Sequence, residues 1–231
     1  MKSWLLTAAI ALIAGFAGAA AWDHSGLAPD RTRDALMAEP EMLPEAMAEL
    51  QRRDMMERIE PMRAELETPF PGAVMGNPDG NITLVEFTDY ACGFCRSSLA
   101  DVNSLIAANP DLRVVVREYP ILSDGSVEAA RMALAAAQQG RYEAFHNAMF
   151  AADGLSTATI EAAAQQAGVD LQQARAAIDT GMLDDQLQNN VFLARNLGLT
   201  GTPAWIVGDQ VLNGAVGEET LSEAIAEARD S

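Results

Sequence analysis

The chain has 231 residues, enough for one large domain or for one domain with an appendage. Its formal net charge is −18, from 15 Lys plus Arg against 33 Asp plus Glu spread along the chain. Such a surface repels phosphate backbones and anionic membranes, which argues against nucleic-acid binding.

Met1-Lys2-Ser3 puts a positive charge ahead of an apolar run from Trp4 to about Ala14, and the small-residue stretch Ala17-Gly18-Ala19-Ala20-Ala21 follows. This is the layout of a secretory signal peptide over residues 1–21, with cleavage expected after Ala19 or Ala21. The alternative is a retained anchor, because Trp4 to Ala21 approaches the length that crosses a bilayer. Export leads to an oxidising compartment, where a pair of cysteines ordinarily suggests a structural disulfide. Cys92 and Cys95 are too close for that, since a bridge over so short a loop constrains the unfolded chain little. A reactive pair is the better reading.

Residues 22–66 are expected to form a helical N-terminal stalk, although residues 22–31 show no periodicity. From Thr32 to Leu66 the composition turns charged and Met-rich, with apolar positions at Leu43, Met47 and Leu50, then at Met55, Ile59, Met62 and Leu66. Those spacings draw a narrow apolar stripe on a helix, of the kind that packs against another helix. The step from Leu50 to Met55 breaks the phase, so one long regular coiled coil is excluded. Pro44 suits a first helical turn, and Pro61 should end or kink the helix. The partner of the stripe is either the same segment in other copies, making a homo-oligomer through residues 32–66, or the chain's own domain. Residues 67–73, Thr68-Pro69-Phe70-Pro71-Gly72-Ala73 among them, read as a linker, and a compact domain is expected over 74–231.

In that domain Asn77-Pro78-Asp79-Gly80 signals a turn, and Ile82 to Phe87 reads as a buried strand. The cysteine pair follows at once, then a helix from about Phe94 to Ala108 closed by Asn109-Pro110. Leu112 to Glu118 is a second strand, and the strand–helix–strand order predicts parallel pairing with a right-handed crossover. From about residue 126 to 197 Ala, Gln, Leu and Met favour helix, with breaks near Gly140, Gly154, Gly168 and Gly181. Thr202 to Val207 and Gln210 to Leu212 read as strands joined at Gly208-Asp209, and a helix from about Glu218 to Arg229 closes the chain. The result is an α/β domain with an all-helical insertion.

A thiolate, not a thiol, attacks a disulfide. With Cys92 just before a helix, free backbone N–H groups and the positive end of the helix dipole stabilise its anion. Cys92 is therefore the expected exposed nucleophile and Cys95 the buried resolving thiol. A zinc site is the competing reading of Cys-x-x-Cys, but no second cysteine pair exists, and His24 and His146 lie far off in the sequence. Binding of soft Cu(I) by the pair stays open. No metal or cofactor is required by the expected chemistry, and His146 and Arg96 receive no role.

The segment Val85-Glu86-Phe87-Thr88-Asp89-Tyr90-Ala91-Cys92-Gly93-Phe94-Cys95 resembles the active-site strand and helix start of DsbA-like thiol:disulfide oxidoreductases. Gly201-Thr202-Pro203-Ala204 resembles their cis-proline loop, and the helical block resembles their inserted domain. The resemblance covers about residues 74 to 229 and implies a thioredoxin-like fold. It implies that Pro203 is a cis-proline facing the cysteines, where the bare sequence suggests an ordinary trans proline opening a strand. It implies that Thr202 offers backbone groups to substrate, and that Glu86 is a buried acid passing protons to and from Cys95. Gly93-Phe94 departs from the strongly oxidising members, which carry a histidine in that gap, and so leaves the redox poise open. Glu39-Pro40-Glu41-Met42-Leu43-Pro44-Glu45-Ala46 resembles the N-terminal stalk of the ScsC-like branch, whose members can trimerise and act as isomerases.

The function expected is thiol–disulfide exchange in exported proteins of the periplasm, leaning to isomerase or reductase, with a membrane redox partner. A DsbA-type dithiol oxidase is the alternative direction, and a copper-binding envelope protein the alternative class. A glutathione-dependent transferase is disfavoured, because such an enzyme has no need of Cys95.

Overall fold

A computed structural model describes residues 7–8, 10–18 and 36–230. The expected cleavage positions Ala19 and Ala21 and the aperiodic stretch 22–31 lie outside the described residues. Residues 10–18 are helical, and among the described residues no helix is long and apolar enough to cross a membrane.

The chain divides into two compact units, Met1–Gln51 and Arg52–Ser231. Helix α1 (Met42–Ile59) carries Pro44 in its first turn, where a missing N–H costs nothing. Pro61 falls in a short 3-10 turn (Glu60–Met62) before helix α2 (Arg63–Glu67), so it interrupts the helix as its ring requires. The apolar stripe splits in two. Leu43, Met47 and Leu50 are 53%, 54% and 59% exposed, whereas Ile59 and Leu66 are fully buried among Val85, Phe87, Val115 and Leu193. The expected stalk over 22–66 is corrected accordingly: residues 52–66 belong to the second unit, because Ile59 and Leu66 find their apolar partners there.

That unit is built on a five-stranded sheet of order β1-β3-β2-β4-β5. Strands β2 (Ile82–Thr88) and β3 (Leu112–Glu118) run parallel, joined through helix α3 (Gly93–Ala108) as the sequence predicts. β4 (Ala204–Val207) lies antiparallel to β2, and β5 (Gln210–Asn213) closes that edge as a hairpin. β1 (Val74–Gly76) pairs antiparallel with β3 at the other edge. It is too short to show a period and is revealed only by its pairing, which sets Val74 opposite Val115.

Between β3 and β4 come five helices: α4 (Asp124–Gln138), α5 (Tyr142–Ala151), α6 (Thr157–Gln166), α7 (Leu171–Asp179) and α8 (Met182–Asn196). Side chains of Ser123, Ser156 and Asp170 cap three of their N-termini. Gly181 opens α8 at φ +77, a left-handed turn that a side chain would strain. Helix α9 (Gly217–Asp230) ends the chain's described part.

Strand alternation sorts side chains to opposite faces of the sheet. Leu84, Val114 and Val116 join the larger core with Cys95, Tyr90 and Tyr142. Val85, Phe87 and Val115 join the smaller core with Ile59, Leu66 and Leu193. By the same alternation Glu86, Thr88 and Glu118 point to the first face and Arg117 to the second.

Candidate active site

Strand β2 delivers the chain into a turn that Asp89 holds together. The Asp89 backbone oxygen accepts from Cys92 N at 2.9 Å, and its carboxylate accepts from Ala91 N at 2.8 Å. The other carboxylate oxygen takes Ile121 N at 2.8 Å and Leu122 N at 3.0 Å, which ties the loop after β3 to the turn before the cysteines.

Cys92 is the N-cap of α3, with extended backbone and its sulfur in the place a capping oxygen usually fills. Cys95 N donates to Cys92 Sγ at 3.4 Å, one of the helix's otherwise unpaired N–H groups. The Cys92 thiol in turn donates to the Thr202 carbonyl at 3.2 Å. The Thr202–Pro203 peptide bond is cis, so the loop that resembled a cis-proline loop has that geometry and lies against the pair.

Both cysteines are free thiols. Cys95 is fully buried, and burial, with the charge of Glu86 adding to it, pushes its thiol pKa up. Cys92, expected to be exposed, is only 7% exposed, since the Thr202 loop covers its sulfur; Phe94 between them stands 68% exposed. Glu86 is 3% exposed, and desolvation raises its carboxyl to about 8. The five residues singled out in the sequence thus share one end of β2, with Glu86 beneath Cys95 rather than in solvent at a strand edge.

Other residues around the site were not anticipated. Glu118 is fully buried, and its Oε1 accepts from Tyr142 OH at 2.7 Å and from Tyr90 OH at 3.1 Å. Burial raises its carboxyl to about 8 against the tyrosine hydrogen bonds, with the charges of Asp89 and Glu86 adding. His146 Nδ1 lies 3.0 Å from Tyr90 OH, and burial holds the imidazole down to about 3, hence neutral. Glu118 and Arg117 sit in a Val-rich strand exactly as Glu86 sits in its own apolar run, and that signal was available for them too.

A family described as the DSBA-like thioredoxin domain matches residues 83–226. The crystal structure of a thioredoxin-like oxidoreductase from Silicibacter pomeroyi DSS-3 is 40% identical, with a TM-score of 0.66, over 68% of this chain and 92% of that one. Proteus mirabilis ScsC in a transitional conformation is 27% identical, with a TM-score of 0.68, over 90% of this chain and 97% of that one. A Na(+)/H(+) antiporter NhaA of Herminiimonas arsenicoxydans is 27% identical over 158 residues, 68% of this chain and 25% of the antiporter. The chain therefore spans about a quarter of the length of the curated relatives it matches.

Proposed function

The chain belongs to the DSBA-like thioredoxin-domain family of thiol–disulfide oxidoreductases, and on that premise we propose that it is a periplasmic protein disulfide isomerase or reductase working through Cys92 and Cys95. The observation that carries this reading is the seat of Cys92 Sγ, between the Cys95 N–H at 3.4 Å and the Thr202 carbonyl at 3.2 Å.

Cys92, whose sulfur sits at the helix N-terminus against the Cys95 N–H, is the attacking residue, and it attacks as the thiolate. It bonds to one sulfur of a partner disulfide and expels the other as a thiolate. Cys95 then gives its proton to the minor ionised fraction of Glu86, whose carboxyl titrates at about 8, and attacks Cys92 Sγ, which releases the partner's second sulfur. That sulfur takes up a proton, and both electrons end on the partner. In isomerisation a thiol of the substrate itself resolves the mixed disulfide, and Cys95 acts only to release stalled complexes. Thr202 and Pro203 shape the groove in which the substrate backbone lies.

The export of the chain is supported by the charge and apolar run of residues 1–21, and the substrates are exported proteins. The direction is supported by the exposed half of the N-terminal stripe, Leu43, Met47 and Leu50, which offers a seam for other copies and so several sites for one misfolded substrate. A membrane redox partner keeps the pair reduced.

The deciding measurement is the reduction potential of the Cys92–Cys95 couple against glutathione. A value of about −180 mV or lower is expected, and one near about −120 mV assigns dithiol oxidation instead. Cys92→Ser is expected to lose exchange altogether, and retained exchange would remove Cys92 from the reaction.

A further inference from the structure

Beneath the turn that carries Cys92 lies a closed set of polar groups for which the exchange chemistry above has no use. Tyr90, just ahead of Ala91 and Cys92, places its hydroxyl 3.1 Å from Glu118 Oε1 and 3.0 Å from His146 Nδ1. Tyr142 OH also donates to Glu118 Oε1, at 2.7 Å, and lies 3.5 Å from Nδ1. The rings meet edge to face, Tyr90 with His146 at 5.5 Å and His146 with Phe150 at 4.8 Å. Glu118 Oε2 and His146 Nε2 are buried and have no hydrogen-bond partner.

A tyrosine hydroxyl has one proton, and here it has acceptors on both sides. The set therefore admits two self-consistent orders. With Glu118 protonated, its acid O–H donates to Tyr90, Tyr90 donates to Nδ1, and the imidazole proton sits on Nε2. With Glu118 ionised, Tyr90 donates to the carboxylate, and Nδ1 carries the imidazole proton and donates to Tyr90. Passing from the first order to the second moves the Glu118 proton to Tyr90, the Tyr90 proton to Nδ1, and releases the Nε2 proton to a buffer base. One proton leaves and the set gains one negative charge.

We propose that Glu118 is a positioning residue for the cysteine pair: it anchors Tyr90 in the turn before Cys92 through a Glu118–Tyr90–His146 relay whose hydrogen-bond order reverses when one proton leaves. The groups that face Glu118 are Glu86 on β2, Asp89 and Tyr90 in the turn after it, and Tyr142 and His146 on α5. Arg117, its neighbour in sequence, points to the other face, where its two terminal nitrogens donate to the Glu65, Leu66 and Thr68 carbonyls and to Asn190. Glu86 acts on both Glu118 and Cys95, so the charge state of the relay and that of the resolving thiol share one neighbour. This role in exchange rests on the oxidoreductase reading; the relay itself does not.

The test is nitrogen NMR of the His146 imidazole in the reduced protein as pH rises through about 8, where Glu118 titrates. Wild-type protein is expected to pass from the Nε2–H to the Nδ1–H tautomer. Glu118→Gln and, as a packing-neutral alternative, Tyr90→Phe are expected to hold one tautomer throughout. A wild-type imidazole that keeps one tautomer across this range overturns the relay, whether or not the protein exchanges disulfides. The role in exchange is read from the reduction potential against pH, where the wild-type curve is expected to bend near the same pH and the Tyr90→Phe curve to lose that bend. A tautomer switch with superimposable potential curves overturns the positioning role and leaves the oxidoreductase reading standing. Failure of both proteins to exchange with glutathione removes that reading and the positioning role with it.

Discussion

The two faces of the β2–β3 pair both bury ionisable groups and treat them in opposite ways. On the α2 and α8 face, Arg117 donates to the carbonyls of Glu65, Leu66 and Thr68, the last two at 3.1 and 2.6 Å, and to Asn190 Oδ1 at 3.2 Å. Burial lowers its pKa to about 10, so it remains a cation at neutral pH. On the cysteine face Glu86 and Glu118 are raised to about 8 and stay mostly protonated at neutral pH. The difference lies in the partners. Carbonyls at the end of a helix carry fixed partial negative charge and hold the guanidinium's terminal N–H groups as a cation, although its buried Nε has no hydrogen-bond partner. Glu118 has only two hydroxyl donors and acidic neighbours, so its proton is the cheaper way to be buried. One face fixes a charge for structure; the other keeps protons it can release beside a reactive thiol.

The largest expected effect tests the cysteine face through pH. A carboxyl whose folded pKa is about 8 against an ordinary 4.5 stabilises the fold fully below 4.5, and this stabilisation is lost as pH rises through about 8. Over that window each of Glu86 and Glu118 should lower unfolding free energy by roughly 1.4 kcal/mol per pH unit. Urea midpoints of the Glu86→Gln/Glu118→Gln double variant are expected to be much flatter with pH than those of the wild type. Equal slopes would mean that both carboxyls are already ionised and that the faces do not differ.

Next comes the other face. Arg117→Met strips the Glu65, Leu66 and Thr68 carbonyls of their donor and should cost roughly 3 kcal/mol or more, at about 1–3 kcal/mol for each buried acceptor left unpaired. The cost should be nearly independent of pH between neutral and about 8, since the arginine stays charged there; a cost that follows the carboxyl window would show that the faces titrate together. The smallest effect belongs to the seam between them. Asn190 donates to the Glu118 backbone oxygen at 3.0 Å while accepting from Arg117, and Asn190→Ala should cost about 1–2 kcal/mol in thermal or urea unfolding. A larger loss would mark Asn190 as the element that holds both faces in register.

Much of this architecture was legible in the chain. β-branched runs bounded by turns marked β2 and β3, and the glycines at 140, 154, 168 and 181 divided the insertion, because period and punctuation are local properties. β1 escaped because three residues carry no period. The stripe of residues 43–66 read as one surface, yet Leu43, Met47 and Leu50 are exposed and Ile59 and Leu66 are core. Spacing tells which positions share a helix face and is silent about what covers that face. An acid in an apolar strand is the same signal at Glu118 as at Glu86, but what gives Glu118 its role is non-local: its partners Tyr90 and Tyr142 lie 28 and 24 residues away, and Tyr90's partner His146 lies 56 residues from Tyr90.

By itself, then, the sequence determined the elements and the placing of Cys92 and Cys95 where a strand meets a helix, because strand period, helix caps and breakers act over a few residues. Only the tertiary structure decided that the Thr202–Pro203 loop lies on Cys92, that residues 52–66 join the core, and which buried charges are ions and which are acids. Ionisation inside a protein depends on the donors, acceptors and water that burial brings together or removes, and those come from parts of the chain that no local pattern connects.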